Sequence, residues 1–119
     1  MDLVAGNAAS DGAPFRGWFV GHFVPDGLPK SAQVEIKWGI HARDETRSRW
    51  ATSDAATTLS VLVRGRFRLT FESGDHLLAR PGDYVLWGPG VAHRWQAEQD
   101  DTVVLTVRWP SVAGDAREH

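Results

Sequence analysis

Cysteine is absent from the 119-residue sequence, which excludes disulfides, thiolate metal sites and a cysteine nucleophile. A strong charge of either sign is also absent: the net charge is −2 at pH 7, so no basic field attracts nucleic acid or an anionic membrane surface. The first residues lack the basic and apolar segments of a secretory signal, and no apolar run approaches the ~18 residues of a transmembrane helix. We therefore expect a cytoplasmic protein that has neither nucleic acid nor a membrane as a partner.

Long amphipathic helices are missing as well, and short apolar runs separated by turn residues take their place. Residues 33–41 and Thr102–Trp109 alternate between two faces, as strands do. Turn signals rich in glycine, proline and aspartate recur about every eight to twelve residues. This pattern predicts an all-β sandwich or barrel in a single domain.

The chain divides into three segments. Residues 1–14 are small and aperiodic and are expected to form a flexible arm, residues 15–110 form the barrel, and residues 111–119 are a polar tail. Residues 43–56 are interpreted as a long loop with one helical turn. Residues 17–24 are apolar on both faces, so this strand is expected to pack on two sides, and a second copy of the chain at one of them predicts a homodimer.

Residues 77–95 contain the most informative spacing in the chain. Gly82 lies in a turn before the apolar run Tyr84–Trp87, Gly90 ends a turn after it, and His93 follows three residues later. This spacing resembles the second motif of the cupin superfamily, although Gly88 stands where that motif has a proline. The resemblance implies a small jelly-roll β-barrel, or double-stranded β-helix, covering about residues 33–109.

The first cupin motif is incomplete in this sequence. Its closing glycine matches Gly65, but Thr58 occupies the position of its glutamate. Its two histidine positions fall on Ala51 and Ser53, or one residue later on Thr52 and Asp54. His41, on an earlier strand, is the substitute that the sequence offers.

The resemblance implies a metal inside the barrel, held in the family by three histidines and one glutamate. His41 and His93 are the candidate ligands here, and such a site would suit a divalent transition metal such as Zn, Fe, Mn or Ni. Asp54 and His22 are further candidates, whereas His76 and His119 are expected to be exposed. The alternative is that the metal site is lost and the histidines line a pocket.

The barrel interior is expected to form an aromatic pocket with a few hydroxyl groups. Trp95 has the same inward parity as His93, Trp87 adds a second indole, and Thr58 and Ser60 face the same interior. Such a pocket suits a small organic ligand. The alternative for the indoles is plain core filling.

Three arginines follow the strand that carries His41. Arg43, Arg47 and Arg49 either bind an anionic ligand at the barrel mouth or pair with Asp44 and Glu45 in a solvated loop. The sequence leaves both interpretations open.

Three functional hypotheses follow. The first is a small-molecule binder, with or without a divalent metal held by His41 and His93. The second is a metal-dependent cupin enzyme of the oxygenase or isomerase type, for which the sequence assigns no catalytic residue. The third is a metal-free sensor or interaction module.

Overall fold

The structure, a computed structural model, describes residues 3–119 and consists of two five-stranded antiparallel sheets. The first sheet has the strand order β1-β2-β9-β4-β7 and the second the order β10-β3-β8-β5-β6. The elements are α1 (Ala8–Gly12), a 3-10 helix (Ala13–Phe15), β1 (Trp18–Val20), β2 (Glu35–His41), β3 (Thr46–Ser53), β4 (Thr57–Arg64), β5 (Phe67–Phe71), β6 (Gly74–Leu78), β7 (Tyr84–Trp87), β8 (His93–Ala97), β9 (Thr102–Trp109) and β10 (Ala116–Glu118). The predicted all-β class is confirmed.

The second sheet supplies most of the apolar core. Phe67, Leu69 and Phe71 alternate along β5 and are all buried, because every second residue of a strand faces the interior. Leu78 from β6 and Ala97 from β8 join them. The inner face of the second sheet is therefore apolar.

The first sheet has the reverse polarity. Its inward positions hold mostly polar side chains, which are Glu35, Lys37, Thr58, Ser60, Thr106 and Arg108. Its outward positions include Ile40, Tyr84 and Leu86, which are 51%, 64% and 54% exposed. The alternation of residues 33–41 was predicted, and the structure turns the polar set of β2 toward the interior.

Two segments that were expected to be irregular are strands. Residues 43–56, interpreted as a loop, contain β3, which pairs with β8; the register shifts between Arg47 and Ala51. That irregularity breaks the alternation by which a strand is recognised in sequence. The expected polar tail contains β10, which pairs with β3 at the edge of the second sheet.

The N-terminal segment packs against β2. Asn7 caps α1 by accepting hydrogen bonds from the Ala9 and Ser10 amides, so a helical turn lies within the segment expected to be an arm. The Gly17 carbonyl then accepts a hydrogen bond from the Trp38 amide at 2.9 Å. Met1 and Asp2 of the expected arm lie outside the described residues. No helix in residues 3–119 is long and apolar enough to cross a membrane.

Candidate functional site

A cavity of about 40 Å³ lies between the two sheets. The first sheet provides a polar floor that includes Lys37, Thr58 and Arg108, and β8 provides His93 and Trp95 opposite. At roughly 10–15 Å³ for each water, the cavity has room for about three waters or a ligand of a few heavy atoms.

Thr58 and Arg108 lie directly opposite each other on β4 and β9. Among the described residues, the Thr58 Oγ1 and Arg108 Nε atoms are the buried side-chain polar atoms that have no hydrogen-bond partner. Arg108 is otherwise anchored, because its Nη1 donates to Glu35 Oε2 at 3.2 Å and Ser111 Oγ donates to Glu35 Oε1 at 2.8 Å. The cavity floor therefore presents two adjacent hydrogen-bond donors without an acceptor.

Lys37 lies one inward position from Glu35 along β2 and is opposite Thr106 of β9. Burial, reinforced by the positive charges of Arg47 and Arg108, lowers the pKa of Lys37 to about 8. No carboxylate in the part of the chain that the structure describes forms an ion pair with its ammonium group.

His41 and Glu45 form a hydrogen-bonded pair beside the cavity. The His41 Nδ1 and Glu45 Oε1 atoms are 2.9 Å apart. Burial lowers the pKa of His41 below its usual value, against the opposing effect of Glu45. Burial alone would raise the pKa of Glu45, but hydrogen bonds from His41 and the Ala42 amide hold it below its usual value. An ionised carboxylate only accepts, so Nδ1 carries the proton and Nε2 has the free lone pair.

His93 is fixed in the same tautomer by a different partner. Its Nδ1 lies 3.1 Å from the Val91 carbonyl oxygen, which only accepts, so Nδ1 carries the proton. Burial, together with the charges of Arg108 and Arg47, lowers the pKa of His93 to about 4. The imidazole is consequently neutral at pH 7.

Three indoles enclose the polar groups. Trp18 stacks on the Arg108 guanidinium, which lies 4.5 Å from the ring centroid. The Trp87 ring is 4.8 Å from that of His93, and the Trp95 ring is 4.6 Å from that of His41. These rings give the cavity apolar walls.

Solved structures with a similar fold identify the architecture. KdgF from Halomonas sp. aligns with a TM-score of 0.63 at 17% identity, covering 69% of this chain and 74% of that one. A protein with a double-stranded β-helix domain from Klebsiella pneumoniae aligns with a TM-score of 0.64 at 12% identity, covering 74% of this chain and 76% of that one. A cupin superfamily protein from Desulfitobacterium hafniense aligns with a TM-score of 0.58 at 22% identity, covering 66% of this chain and 69% of that one. This chain has a cupin fold. Its sequence matches no family model and no curated protein.

The cupin turns that were predicted from sequence are present. Gly82 and Gly90 have φ angles of +95° and +79°, a region that favours glycine, and they flank β7. His93 follows as the first residue of β8 and is buried. The second cupin motif therefore has its expected geometry here.

The interior does not fit the metal that the cupin fold implies. The positions of the first-motif ligands hold Ala51, Ser53 and Thr58, and Ala51 is the cross-strand partner of His93. Residues 3–119 contain no group of three or more His, Cys, Asp or Glu residues that could hold a metal ion. Three cationic side chains, Lys37, Arg47 and Arg108, line the cavity with the two histidines. The residues that line the cavity include no carboxylate to serve as a further ligand, and the Lys37 ammonium, which has no ion-pair partner among the described residues, opposes a divalent ion.

All six residues named from the sequence line the cavity, namely His41, Thr58, Ser60, Trp87, His93 and Trp95. Arg47 also reaches it, whereas Arg43 and Arg49 are exposed. Sequence reasoning missed Lys37, Arg108 and Trp18. The signal for Lys37 was available, since it shares the strand parity of His41.

The remaining candidate ligands lie elsewhere. The His22 Nδ1 atom is 2.7 Å from Ser111 Oγ, and neither residue lines the cavity. Asp54 accepts an exposed hydrogen bond from Arg117. His76 and His119 are exposed, as expected.

Proposed function

We propose that this cupin-fold domain binds a small organic anion, a carboxylate, inside its barrel. The observation that carries the proposal is the adjacency of Arg108 Nε and Thr58 Oγ1, both buried and both without an acceptor. A buried donor without a partner is costly, by about 1–3 kcal/mol. One carboxylate oxygen that accepts from both groups would remove this cost, and a charged acceptor makes the stronger hydrogen bond.

The charges around the cavity favour the same class of ligand. Arg108 pairs with Glu35, and the Arg47 Nε atom lies 3.4 Å from a Glu118 carboxylate oxygen. Lys37 is left without an ion-pair partner among the described residues. Glu45 acts on Lys37 only from beyond ion-pair distance, so a monoanion in the cavity would give the ammonium group a direct partner.

The walls and the volume limit the size of the ligand. Trp18, Trp87 and Trp95 offer apolar contact area for a short carbon skeleton. A cavity of about 40 Å³ suits a ligand with a handful of non-hydrogen atoms. A short-chain monocarboxylate meets both conditions.

The metal-dependent alternatives rest on His41 and His93 alone. Equilibration with Zn²⁺, Mn²⁺, Ni²⁺ or Fe²⁺ followed by desalting is expected to leave far less than one metal ion per chain. One equivalent of metal that is lost in both His41→Ala and His93→Ala would support the oxygenase or isomerase hypothesis instead.

The proposal is tested by titrating the full chain with acetate while the indole N–H signals are recorded by NMR. Saturable shifts are expected at Trp18, Trp87 and Trp95, and much smaller ones at Trp50 and Trp109, which do not line the cavity. Acetamide, which has the same shape without the charge, should bind far more weakly.

Substitutions test whether Thr58 and Arg108 bind the carboxylate. Thr58→Val removes only the hydroxyl group and should weaken acetate binding about tenfold, which corresponds to roughly 1.4 kcal/mol. Arg108→Met should weaken it more. Arg64→Met removes an equal charge at an exposed residue and should leave binding unchanged. Equal affinity for acetamide and acetate, or no effect of Thr58→Val, would contradict the proposal.

A further inference from the structure

Two glycines, Gly17 and Gly39, border the stem of Lys37. A Cβ atom at Gly39 would come within 3.5 Å of Lys37 Cε, and one at Gly17 would come within 3.4 Å of Lys37 Cγ and 3.5 Å of Cε. These are the distances of ordinary van der Waals contact, so both glycines lie directly beside the lysine stem. The ammonium group ends 5.9 Å from the centroid of the Trp18 ring.

The same indole brings Lys37 close to the proposed carboxylate site. Trp18 contacts the Arg108 guanidinium at 4.5 Å as well as the Lys37 ammonium at 5.9 Å. Lys37 and Arg108 also occupy neighbouring inward positions of β2 and β9, two residues or about 7 Å apart along the strands. A ligand held by Arg108 and Thr58 would therefore have its next atoms within reach of Lys37.

A proton acceptor lies beside the lysine. A Cβ atom at Gly39 would come within 2.8 Å of His41 Nε2 and 3.5 Å of Lys37 Cε, so both groups border the same small space. The hydrogen bond between His41 and Glu45 leaves Nε2 unprotonated. This arrangement has the parts of an activated amine: a partly desolvated lysine beside other cations, and a neighbouring base.

We propose that Lys37 forms an imine with a small oxo acid whose carboxylate is held by Arg108 and Thr58. The proposal rests on the proposed function, since the carboxylate site orients the carbonyl group toward the amine. It adds a substrate class, a short 2-oxo acid, and a covalent role for one residue. The lowered pKa of Lys37, about 8, agrees with it, because roughly a tenth of the amine is then unprotonated at pH 7.

The chemistry needs no further reactant. The unprotonated amine of Lys37 attacks the carbonyl carbon and a C–N bond forms. His41 Nε2 accepts one proton from the attacking nitrogen and passes it to the carbonyl oxygen, which gives a neutral carbinolamine. His41 then carries the second N–H proton to the hydroxyl group, the C–O bond breaks, water leaves with both protons, and a neutral imine remains. No group is oxidised or reduced.

The sequence provides an internal control, because Lys30 and Lys37 are its only lysines. Lys30 is at the surface, and its ammonium donates to the carbonyls of His22 and Val24. The full chain is incubated with pyruvate and sodium cyanoborohydride, which reduces an imine to a stable secondary amine. Intact mass and peptide mapping then locate and quantify the adduct.

The adduct is expected on Lys37 at a rate at least about tenfold above that on Lys30. Lys37→Arg should abolish it, whereas Lys30→Arg should leave it unchanged. Thr58→Val should slow it by weakening the carboxylate contact. Equal labelling of both lysines, or labelling that Lys37→Arg leaves intact, would overturn the proposal.

A second ligand separates this inference from the proposed function. Lactate has the size and charge of pyruvate and carries a hydroxyl group in place of the carbonyl. If lactate shifts the cavity indole signals and pyruvate gives no adduct on Lys37, the imine inference fails and anion binding stands. If neither ligand binds nor reacts, both proposals fail.

The rate of adduct formation also has a characteristic pH dependence. It should rise with pH and level off above about pH 8, where the Lys37 amine is mostly unprotonated. The groups that act on Lys37 are Arg16 before β1, Glu45 and Arg47 near the start of β3, His41 on β2 and Arg108 on β9. Arg47→Met should move the midpoint to higher pH, since it removes a neighbouring positive charge. If Arg47→Met leaves the midpoint unchanged, the titration that limits adduct formation is not that of Lys37 in the cavity, which would count against the proposal.

Discussion

Thr58 and Arg108 are cross-strand partners whose inward polar atoms both lack a hydrogen-bond partner among the described residues. Neighbouring hydroxyls on the same floor are satisfied, since Ser60 Oγ and Thr106 Oγ1 lie 3.0 Å apart. The missing hydrogen bonds are therefore confined to the part of the cavity floor formed by Thr58 and Arg108. Folding stability and ligand binding should therefore respond in opposite ways to changes at Thr58.

Thr58→Val is expected to stabilise the ligand-free protein by about 1 kcal/mol, because it removes a buried hydroxyl without a partner. Thr102→Val is the matched control. The Thr102 hydroxyl donates to the Gln99 carbonyl at 2.7 Å and accepts from the Arg66 amide, so its loss should destabilise by about 1–3 kcal/mol. Urea unfolding at pH 7 measures both values. Destabilisation by Thr58→Val would mean that its hydroxyl has a partner in solution.

Lys37→Met is expected to raise the free energy of unfolding at pH 7 by on the order of 2 kcal/mol. The pKa of Lys37 is lower in the folded chain, about 8, than in an unfolded one, so burying the charge opposes folding below pH 8. The unfolded state binds more protons between pH 8 and about 10.5, and wild-type stability should rise through that window. Lys37→Met should lose that rise in urea unfolding at several pH values, and Lys30→Met should keep it.

Acid should destabilise the protein before the carboxylates titrate. His93 has a pKa of about 4 when folded and about 6.5 when unfolded, so the unfolded state binds more protons as the pH falls below 6.5. The free energy of unfolding should fall between pH 6.5 and 5, with a contribution of the same sign from His41. His93→Gln should reduce this slope, and His76→Gln, at an exposed residue, should not. An unchanged slope in His93→Gln would show that the imidazole is not buried in solution.

The outer face of the first sheet is a better candidate interface for the expected homodimer than residues 17–24. The structure turns Trp18 into the cavity, whereas the outer face of the first sheet presents uncharged rows across four strands. One row joins Ile36, Val107, Leu59 and Leu86, and the next joins Trp38, Leu105, Val61 and Tyr84. A second copy would cover both rows through a two-fold axis, since the same face is then used twice.

Light scattering at micromolar concentration is expected to give twice the monomer mass. Leu86→Glu should give the monomer mass, because it places a charge at an exposed apolar position of the covered face. Val91→Glu, at another partly exposed apolar residue, serves as the control and should leave the dimer intact. A monomeric wild-type protein would rule out this interface at that concentration.

The sequence predicted the cupin fold and part of the cavity lining because those features depend on local patterns. Gly82, Gly90 and His93 are close in sequence, and alternation assigned Thr58 and Ser60 to the interior. Alternation cannot tell which of two faces is inside when a strand has one polar and one apolar face. Arg108 was missed for this reason, because the polar face of the first sheet is the buried one and that depends on the apolar core supplied by the other sheet. Lys37 could have been assigned to the interior, since it shares the strand parity of His41.

The strand β3 illustrates a second limit. Its polar first half and the register shift after Arg47 resemble a loop in sequence, and only pairing with β8 identifies the strand. Pairing partners far apart in the chain leave no local signal. The contribution of Arg47 to the cavity could be proposed from composition, but its selection over Arg43 and Arg49 depends on that pairing.

Gly39 and His41 should be linked in evolution. A Cβ atom at position 39 would come within 2.8 Å of His41 Nε2, so a side chain there forces the imidazole to move. Descendants of a common ancestor should therefore keep or lose the glycine and the histidine together. A lineage that acquires a bulky residue at position 39 should also carry a smaller side chain at position 41, and with it a barrel that has lost the base beside its lysine.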